Sequence, residues 1–362
     1  MAYHTRYQTG TFTSRSSQRV VPLKRVPNVG YLRRQQQRAI PPMTFGVKPR
    51  PSTAPPTASI PKPPPPTYAL VIGIEYTQYA KQGRLERLPG CHFDTKTIND
   101  ILTYGVKVPA SNITTMTDTD NIDSKISPLY PSRSNIVAQL NKLLALAQKT
   151  PNITIWITYS GHGTSFPDEG TRDEKDKADE AIVPADFLDS NSNVIVDDFF
   201  ASYLAKFPSA TKINVIFDSC HSGSCLDLPY LWKTAAAAPV QENKNKIVAT
   251  ISFLSGCRDN QTSASDLIDT ATKSRALTWR GALTCAFENT MIKYNYKPTC
   301  EQLLKDTQAY LLTRGYDQVP QFSCSKTLTL RSTAYPFTNN HPTVSKSIVK
   351  KKGKDSGCNC HH

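Results

Sequence analysis

Ile153-Thr154-Ile155-Trp156-Ile157-Thr158-Tyr159-Ser160-Gly161-His162-Gly163 is an apolar, β-branched run that stops at a histidine set between two glycines. Ile153–Tyr159 has the length and composition of a strand buried on both faces, the kind found inside parallel sheets. A second run ends in the same way. Ile213-Asn214-Val215-Ile216-Phe217 passes into Asp218-Ser219-Cys220-His221-Ser222-Gly223, which sets a thiol 58 residues beyond the histidine. Open α/β sheets bind their ligands at the carboxyl ends of parallel strands. A histidine and a cysteine on neighbouring strand ends pair a thiol nucleophile with its base.

Working outward, Tyr68–Ile74 is a third apolar strand, closed by Glu75, and Ile247–Phe253 a fourth. Thr327–Leu330 alternates like a last strand, and Ala181–Pro184 is a short extended piece. Helices are predicted over Phe93–Tyr104, with Asp94 in its first turn, and over Ser132–Gln148, where Ile136, Leu140, Leu143 and Leu144 make an apolar stripe. Further helices are predicted over Val196–Lys206, Leu277–Lys293 and Cys300–Leu312. Leu226–Lys246 has no clean period and is expected to be a long exposed connection. Alternating strands and helices predict an α/β fold, with a mostly parallel sheet covered by helices on both faces.

The two ends differ from the middle. Residues 1–66 hold 13 of the 27 prolines, eight arginines, three lysines and no acid, so they carry +11 of the total +14. Such a segment cannot bury enough apolar surface to offset its ordering entropy, and it is expected to be a disordered basic arm. Residues 336–362 form a second basic tail ending in Cys358-Asn359-Cys360-His361-His362, which is either a soft-metal binder or an incidental terminus. Basic arms allow weak contact with nucleic acid or anionic surfaces, though bare solubility or a processing role explains them as well. No run approaches the length of a membrane span, and the N-terminus has no apolar signal core. Nine irregularly spaced cysteines fit a reducing compartment, cytoplasmic with the nucleus as a second location.

The chemistry follows from neighbours. Cys220 lies in a Ser/Gly-rich turn, a poor context for a buried hydrophobe, and backbone N–H groups there can face an oxyanion. His162, between glycines, has little to pack against and titrates in the right range for proton transfer. His221 is the rival base, but adjacent side chains of an extended segment diverge. No third acid is evident to orient the imidazole. Asp218, two residues before Cys220, leaves the same face if the chain stays extended, and its carboxylate selects a cationic substrate side chain; the plainer reading is a helix or turn cap. Asp94 and Ser160 are candidates to complete that pocket. Residues 168–180 hold seven carboxylates in thirteen positions, a repulsive cluster that either stays solvated or takes a hard divalent cation such as calcium. Asp227, seven residues beyond Cys220, is a candidate to approach it.

Taken together, these residues resemble a type I metacaspase, a caspase-like cysteine peptidase. The motifs are Tyr-Ser-Gly-His-Gly at 159–163, Asp-Glu-Ala-Ile-Val-Pro at 179–184, Asp-Ser-Cys-His-Ser-Gly at 218–223, Leu-Asp-Leu-Pro-Tyr at 226–230 and Ser-Gly-Cys-Arg-Asp-Asn-Gln-Thr-Ser-Ala at 255–264. The resemblance implies a caspase–haemoglobinase fold of about eight strands over residues 67–335. Its parts would be a p20-like region (67–232), a linker (233–246) and a p10-like region (247–335). It implies cleavage after Arg or Lys by a His162–Cys220 dyad, with an oxyanion site at the backbone of Gly163 and Cys220. Asp94, Ser160 and Asp218 fall on the basic-residue pocket, with Cys91 beside it. Asp168, Asp179, Glu180 and Asp227 match calcium ligands. A monomer is implied, its sheet edge occupied by extra strands, and so is calcium-triggered self-cleavage in the 226–246 connection, at Lys233, Lys244 or Lys246. The chain departs from the pattern at Ser265-Asp266, where the acid falls one place late. Two other readings remain: a weak or inactive member acting through its arms, or a nucleic-acid binder.

Overall fold

The apolar runs that end at Ile74 and Tyr159 lie side by side as parallel strands, each buried on both faces. The computed structural model describes residues 65–338, apart from 86, 125, 168–177, 191–192, 221–224, 242–246, 257–264 and 270–276. The expected basic arm, bar its last two residues, and the expected tail beyond residue 338 lie outside the described residues.

The described chain opens with strand β1 (Thr67–Gly73), short helix α1 (Thr77–Lys81), helix α2 (Cys91–Asp100) and strand β2 (Ile113–Thr117). Helix α3 (Arg133–Lys149) leads to β3 (Thr154–Ser160), the antiparallel pair β4 (Gly163–Pro167) and β5 (Ala178–Ile182), the short β6 (Ile195–Val196) and helix α4 (Asp197–Leu204). Next come β7 (Lys212–Asp218), β8 (Tyr230–Trp232), β9 (Val240–Gln241) and β10 (Thr250–Ser255). The antiparallel pair β11 (Ser265–Asp269) and β12 (Leu277–Gly281), helices α5 (Ala282–Lys293) and α6 (Cys300–Thr313), and β13 (Gln321–Cys324) complete it.

Eight strands form the main sheet in the order β2-β1-β3-β7-β10-β13-β8-β9. From β2 to β10 every pairing is parallel; β13, β8 and β9 add antiparallel strands. Alternate residues of each central strand enter opposite cores, as a two-residue period requires. Leu70, Ile72, Ile213, Val215 and Phe217 pack with Ile136, Leu140 and Leu143 of α3 and with Phe200 and Tyr203 of α4. Val71, Trp156, Ile216 and Leu254 pack on the other side with Ile98 of α2, Leu283 and Phe287 of α5, and Leu303 and Leu304 of α6. Asn214 is the polar exception in β7. Its amide donates to the Phe337 carbonyl at 3.0 Å and accepts from the Phe337 N–H at 2.8 Å, so a buried polar group is satisfied and residue 337 is fastened across the sheet.

The helix readings hold with small shifts. Ser132 is the N-cap of α3, accepting from the Asn135 N–H at 3.3 Å. The predicted helix at Phe93 begins two residues earlier, at Cys91, and beyond Asp100 widens into a π-helical turn over Ile101–Val106. Three readings fail. Leu277–Lys293 is a strand followed by a helix, divided at Gly281, because Leu277–Gly281 pairs with Ser265–Asp269. Thr327–Leu330 is not a strand. The backbone carbonyls of Thr329 and Leu330 serve the turn at Ser332–Thr333 and the Glu301 N–H of α6, and the sheet strand is the more polar Gln321–Cys324. The third, an exposed connection over Leu226–Lys246, fails only in its first part: Leu226, Leu228, Leu231 and Trp232 are buried and β8 and β9 continue the sheet, whereas residues 233–241 are mostly exposed as expected. Ile247–Phe253 is paired only from Thr250 onward. The edge strand β2 went unread, because Ile-Thr-Thr-Met-Thr carries a weak apolar signal.

Candidate active site

Strands β3 and β7 run parallel, and their last paired residues are Ser160 and Asp218. His162 and Cys220 each lie two residues beyond that pair, so both leave the sheet at the same edge, from neighbouring strand tips. The tips stay in contact past the sheet. The Gly161 N–H donates to the Asp218 carbonyl at 3.4 Å. A Cβ on Gly163 would collide with the carbonyl oxygen of Cys220, which makes glycine a condition for this approach. Cys220 and His162 are both partly exposed. His221, the rival base, lies outside the described residues. Burial holds the His162 imidazole below its usual titration range, which favours its neutral, proton-accepting form near neutrality.

Two phenols hold the backbone of His162. Its N–H donates to Tyr76 Oη at 2.8 Å, and its carbonyl accepts from Tyr159 Oη at 2.7 Å. The Tyr76 ring lies 4.7 Å from the imidazole, centroid to centroid, tilted by 31°.

Behind the dyad lies an acidic pocket. Asp94, in the first turn of α2, accepts from Ser160 Oγ at 2.7 Å and from the Gly281 N–H at 3.0 Å. Asp218 accepts from the Thr284 N–H at 2.9 Å and from its hydroxyl at 2.8 Å. Thr284 lies in the first turn of α5, so Asp218 does cap a helix; it also shares the pocket with Asp94. The two carboxylates converge on Gly281, where a Cβ would collide with Asp218 and stand 2.7 Å from Asp94 Oδ2. Asp94 is 1% exposed and Asp218 6%. Burial first, and then the neighbouring Asp218 charge, push the Asp94 carboxyl up to about 8. Cys91 is buried beside them, its thiol pushed up by burial and by Asp94. Asp218 reaches this pocket from the strand end itself, because β7 stops there and the chain bends at Ser219–Cys220. Strand alternation therefore does not carry through to Cys220.

Several supporting residues were not read from the sequence. The Glu75 carboxylate accepts from the N–H groups of Gly90 at 2.9 Å and His92 at 3.2 Å, fixing the start of α2 and hence Asp94. Buried Arg280 donates to Glu288 at 2.7 Å and Thr97 at 3.1 Å, tying β12 to α5 and α2 so that Gly281 stays against Asp94. The glycine-threonine spacing at Gly281 and Thr284 was the available signal, hidden inside a segment read as one helix.

The candidate calcium ligands are placed only in part. Asp168 lies outside the described residues. Asp179 sits on β5 opposite Phe166. Glu180 is buried on the same strand, and its N–H donates to the Asp197 carboxylate at 2.7 Å, which adds an acid the sequence reading missed. Asp227 is partly exposed on the segment before β8, with a left-handed φ of 47°. Among the described residues no group of three or more His, Cys, Asp or Glu is placed to hold a metal. The donors are nonetheless all carboxylates, the chemistry of a hard divalent cation. Lys233 follows β8, exposed, its carbonyl held by Gln308 Nε2 at 2.9 Å. Lys244 and Lys246 lie outside the described residues, as do Cys358, Cys360, His361 and His362. Ser265 pairs with the pocket glycine Gly281, and Asp266 with Arg280.

A parallel sheet with a histidine and a cysteine at adjacent tips, extended by antiparallel strands, is the architecture of caspase-like cysteine peptidases. A protein of Geobacter sulfurreducens, GSU0716, shares the fold with a TM-score of 0.51 at 21% identity, over 76% of this chain and 99% of that one. The family model described as metacaspase, peptidase C14 domain, matches residues 68–229. Metacaspase-2 of Trypanosoma brucei brucei is 32% identical over 275 residues, 73% of this chain and 75% of that protein. Metacaspase-1 of Cryptococcus neoformans var. neoformans is 31% identical over 308 residues, 71% of this chain and 62% of that protein. The chain belongs to the metacaspases, a family of cysteine peptidases.

Proposed function

We propose that the protein is a calcium-activated endopeptidase that cleaves after Arg or Lys. The observation that carries this reading is the pair of buried carboxylates, Asp94 and Asp218, converging on Gly281 behind the contact between Gly163 and Cys220. A buried acid pair that keeps a proton in the free protein is a site for a cationic side chain, which replaces the proton.

The reaction is acyl transfer. His162 takes the Cys220 proton, and the thiolate attacks the scissile carbonyl. The N–H groups of Gly163 and Cys220, brought close by the glycine contact, stabilise the oxyanion. The imidazolium gives its proton to the leaving amine. Water then attacks the thioester, passing a proton to His162, and the acid and the free thiol are released. Asp179, Glu180 and Asp227, with Asp168, would hold calcium. Its charge would neutralise the acidic segment between β4 and β5, the strand pair that follows His162. The deciding assay compares fluorogenic peptides ending in Arg and in Asp, each with calcium or with chelator. Cleavage of the Arg peptide only with calcium supports the reading, and equal rates for both peptides reject it.

Gly281→Ala provides a sharper test of the pocket. Its Cβ enters the point the two carboxylates face, and overpacking of this kind costs about 1–3 kcal/mol. The Michaelis constant for an Arg peptide is expected to rise about tenfold or more with little change in kcat. An unchanged constant would place the basic side chain elsewhere.

Self-cleavage is expected after Lys244 or Lys246 rather than Lys233, whose carbonyl is already bound at the end of a sheet strand. Incubation with calcium followed by sequencing of new N-termini reads this directly. New termini at residues 245 or 247 support it, whereas an intact chain in an active sample counts against self-cleavage.

A further inference from the structure

We infer that the paired phenols of Tyr76 and Tyr159 are the positioning residues for the His162 imidazole, an inference that rests on the peptidase reading above. Among the described residues, no side-chain hydrogen bond or ion pair to the His162 imidazole is seen, and burial lowers its pKa. Something else must hold the ring. Strands β4 and β5 pair Gly163 with Ile182, so the next rung would join His162 to Val183. That rung is shared, since the Val183 N–H lies 3.2 Å from the His162 carbonyl and also 3.2 Å from Tyr159 Oη.

The phenols brace it. Tyr76 Oη accepts from the His162 N–H at 2.8 Å and donates to the Val183 carbonyl at 2.8 Å. Tyr159 Oη donates to the His162 carbonyl at 2.7 Å and accepts from the Val183 N–H at 3.2 Å. Tyr159 Oη also lies 3.1 Å from the Val183 carbonyl and 3.2 Å from Tyr76 Oη, so the two phenols form one shared network that bridges both backbone polar groups of His162 to Val183. Both rings are buried, and burial raises their hydroxyl pKa values, so the protons that make these bonds stay in place through the neutral range.

Two further features point the same way. Gly161 leaves room for the pair, since a Cβ there would stand 2.5 Å from Tyr159 Oη. Tyr76 holds a left-handed φ of 57°, a conformation that costs a non-glycine residue about 1–2 kcal/mol. The strain sets the Tyr76 ring against one face of the imidazole, at 4.7 Å between centroids, with Phe187 edge-on behind it at 5.8 Å.

Tyr76→Phe and Tyr159→Phe keep both rings and remove one hydroxyl each, so packing is preserved while the mount is cut. In the full chain with calcium, each is expected to lower kcat about tenfold, leaving KM for an Arg peptide within twofold. Histidine NMR should show the His162 titration displaced from that of the parent, because the ring's placement in its buried setting changes once its backbone is released. The titratable groups on the elements packed around it include Glu75 beside Tyr76, Asp218 at the end of β7, Asp179 and Glu180 on β5, and Cys91, Cys220 and Cys225, and the substitutions change only the two phenols. If Tyr76→Phe fails to fold, Tyr159→Phe carries the same readouts. A kcat within twofold of the parent and an unmoved titration in the variants overturn the assignment. So does a loss of kcat that merely tracks the unfolded fraction. A parent chain that never cleaves Arg peptides defeats the peptidase reading instead, and the NMR titration still judges the mount.

Discussion

Cys220→Ala is expected to lower turnover of an Arg peptide on the order of 10⁴-fold or more, to the level of binding and oxyanion stabilisation alone. The thermal midpoint should move by only a few degrees, because Cys220 is partly exposed at the end of β7 and removing its sulfur opens little buried space. The contrast separates a nucleophile from a packing thiol. Cys300, in the core between α6 and the sheet, should behave in the opposite way, with Cys300→Ala costing stability and sparing kcat. His162→Ala should match Cys220→Ala in turnover, and the double variant should be no worse than either, since the two act as a unit. Appreciable turnover by Cys220→Ala, or a double variant whose losses multiply, would remove the dyad.

The neighbouring placement of His162 and Cys220 could be read from the chain because the signal was local. An apolar strand, a glycine-flanked histidine and a thiol in a Ser/Gly turn each carry their own context, and the parallel register only had to place the tips side by side. Asp94 and Asp218 were half legible. Each lies near a strand or helix end, but their meeting point at Gly281 depends on a partner more than sixty residues further along. That partner was hidden, because Leu277–Lys293 reads as one amphipathic segment across a strand–helix junction and no breaker but Gly281 marks it. Strand Gln321–Cys324 was missed for the opposite reason. Gln321 and Ser323 are buried polar residues whose place is set by neighbouring strands, not by their own hydropathy. Tyr76 and Tyr159 look like ordinary core aromatics in sequence. Only the rung they brace between His162 and Val183 gives their hydroxyls a task.

If the acidic pocket takes the basic side chain as proposed, that preference must depend on pH in a calculable direction. Asp94 is pushed up to about 8 by burial and by Asp218, so below that pH the free protein holds a proton between the two acids. A guanidinium binds the ionised pair far better than the protonated one. The Arg side chain must therefore displace the proton, and affinity rises with pH until the proton is gone. The dyad titrates too, so the useful quantity is the ratio of kcat/KM for an Arg peptide to that for its neutral citrulline isostere, in which dyad effects cancel. That ratio is expected to climb through pH 6–8, by up to about tenfold per unit, and to flatten above about 8. Stability runs the other way. A carboxyl whose folded pKa lies above its unfolded value binds more protons in the folded state, so the free protein loses stability as pH rises from about 4 toward 8. Asp94→Asn should abolish the slope and, by removing one of two buried charges from a bound guanidinium, lower the ratio by about 2–5 kcal/mol, roughly 30-fold or more. Asp218→Asn should lower the ratio similarly while returning Asp94 toward the ordinary carboxylate range, which moves the slope to lower pH. An Asp94→Asn variant that keeps both the Arg preference and its pH dependence would show that the two acids serve only to anchor Ser160 and α5.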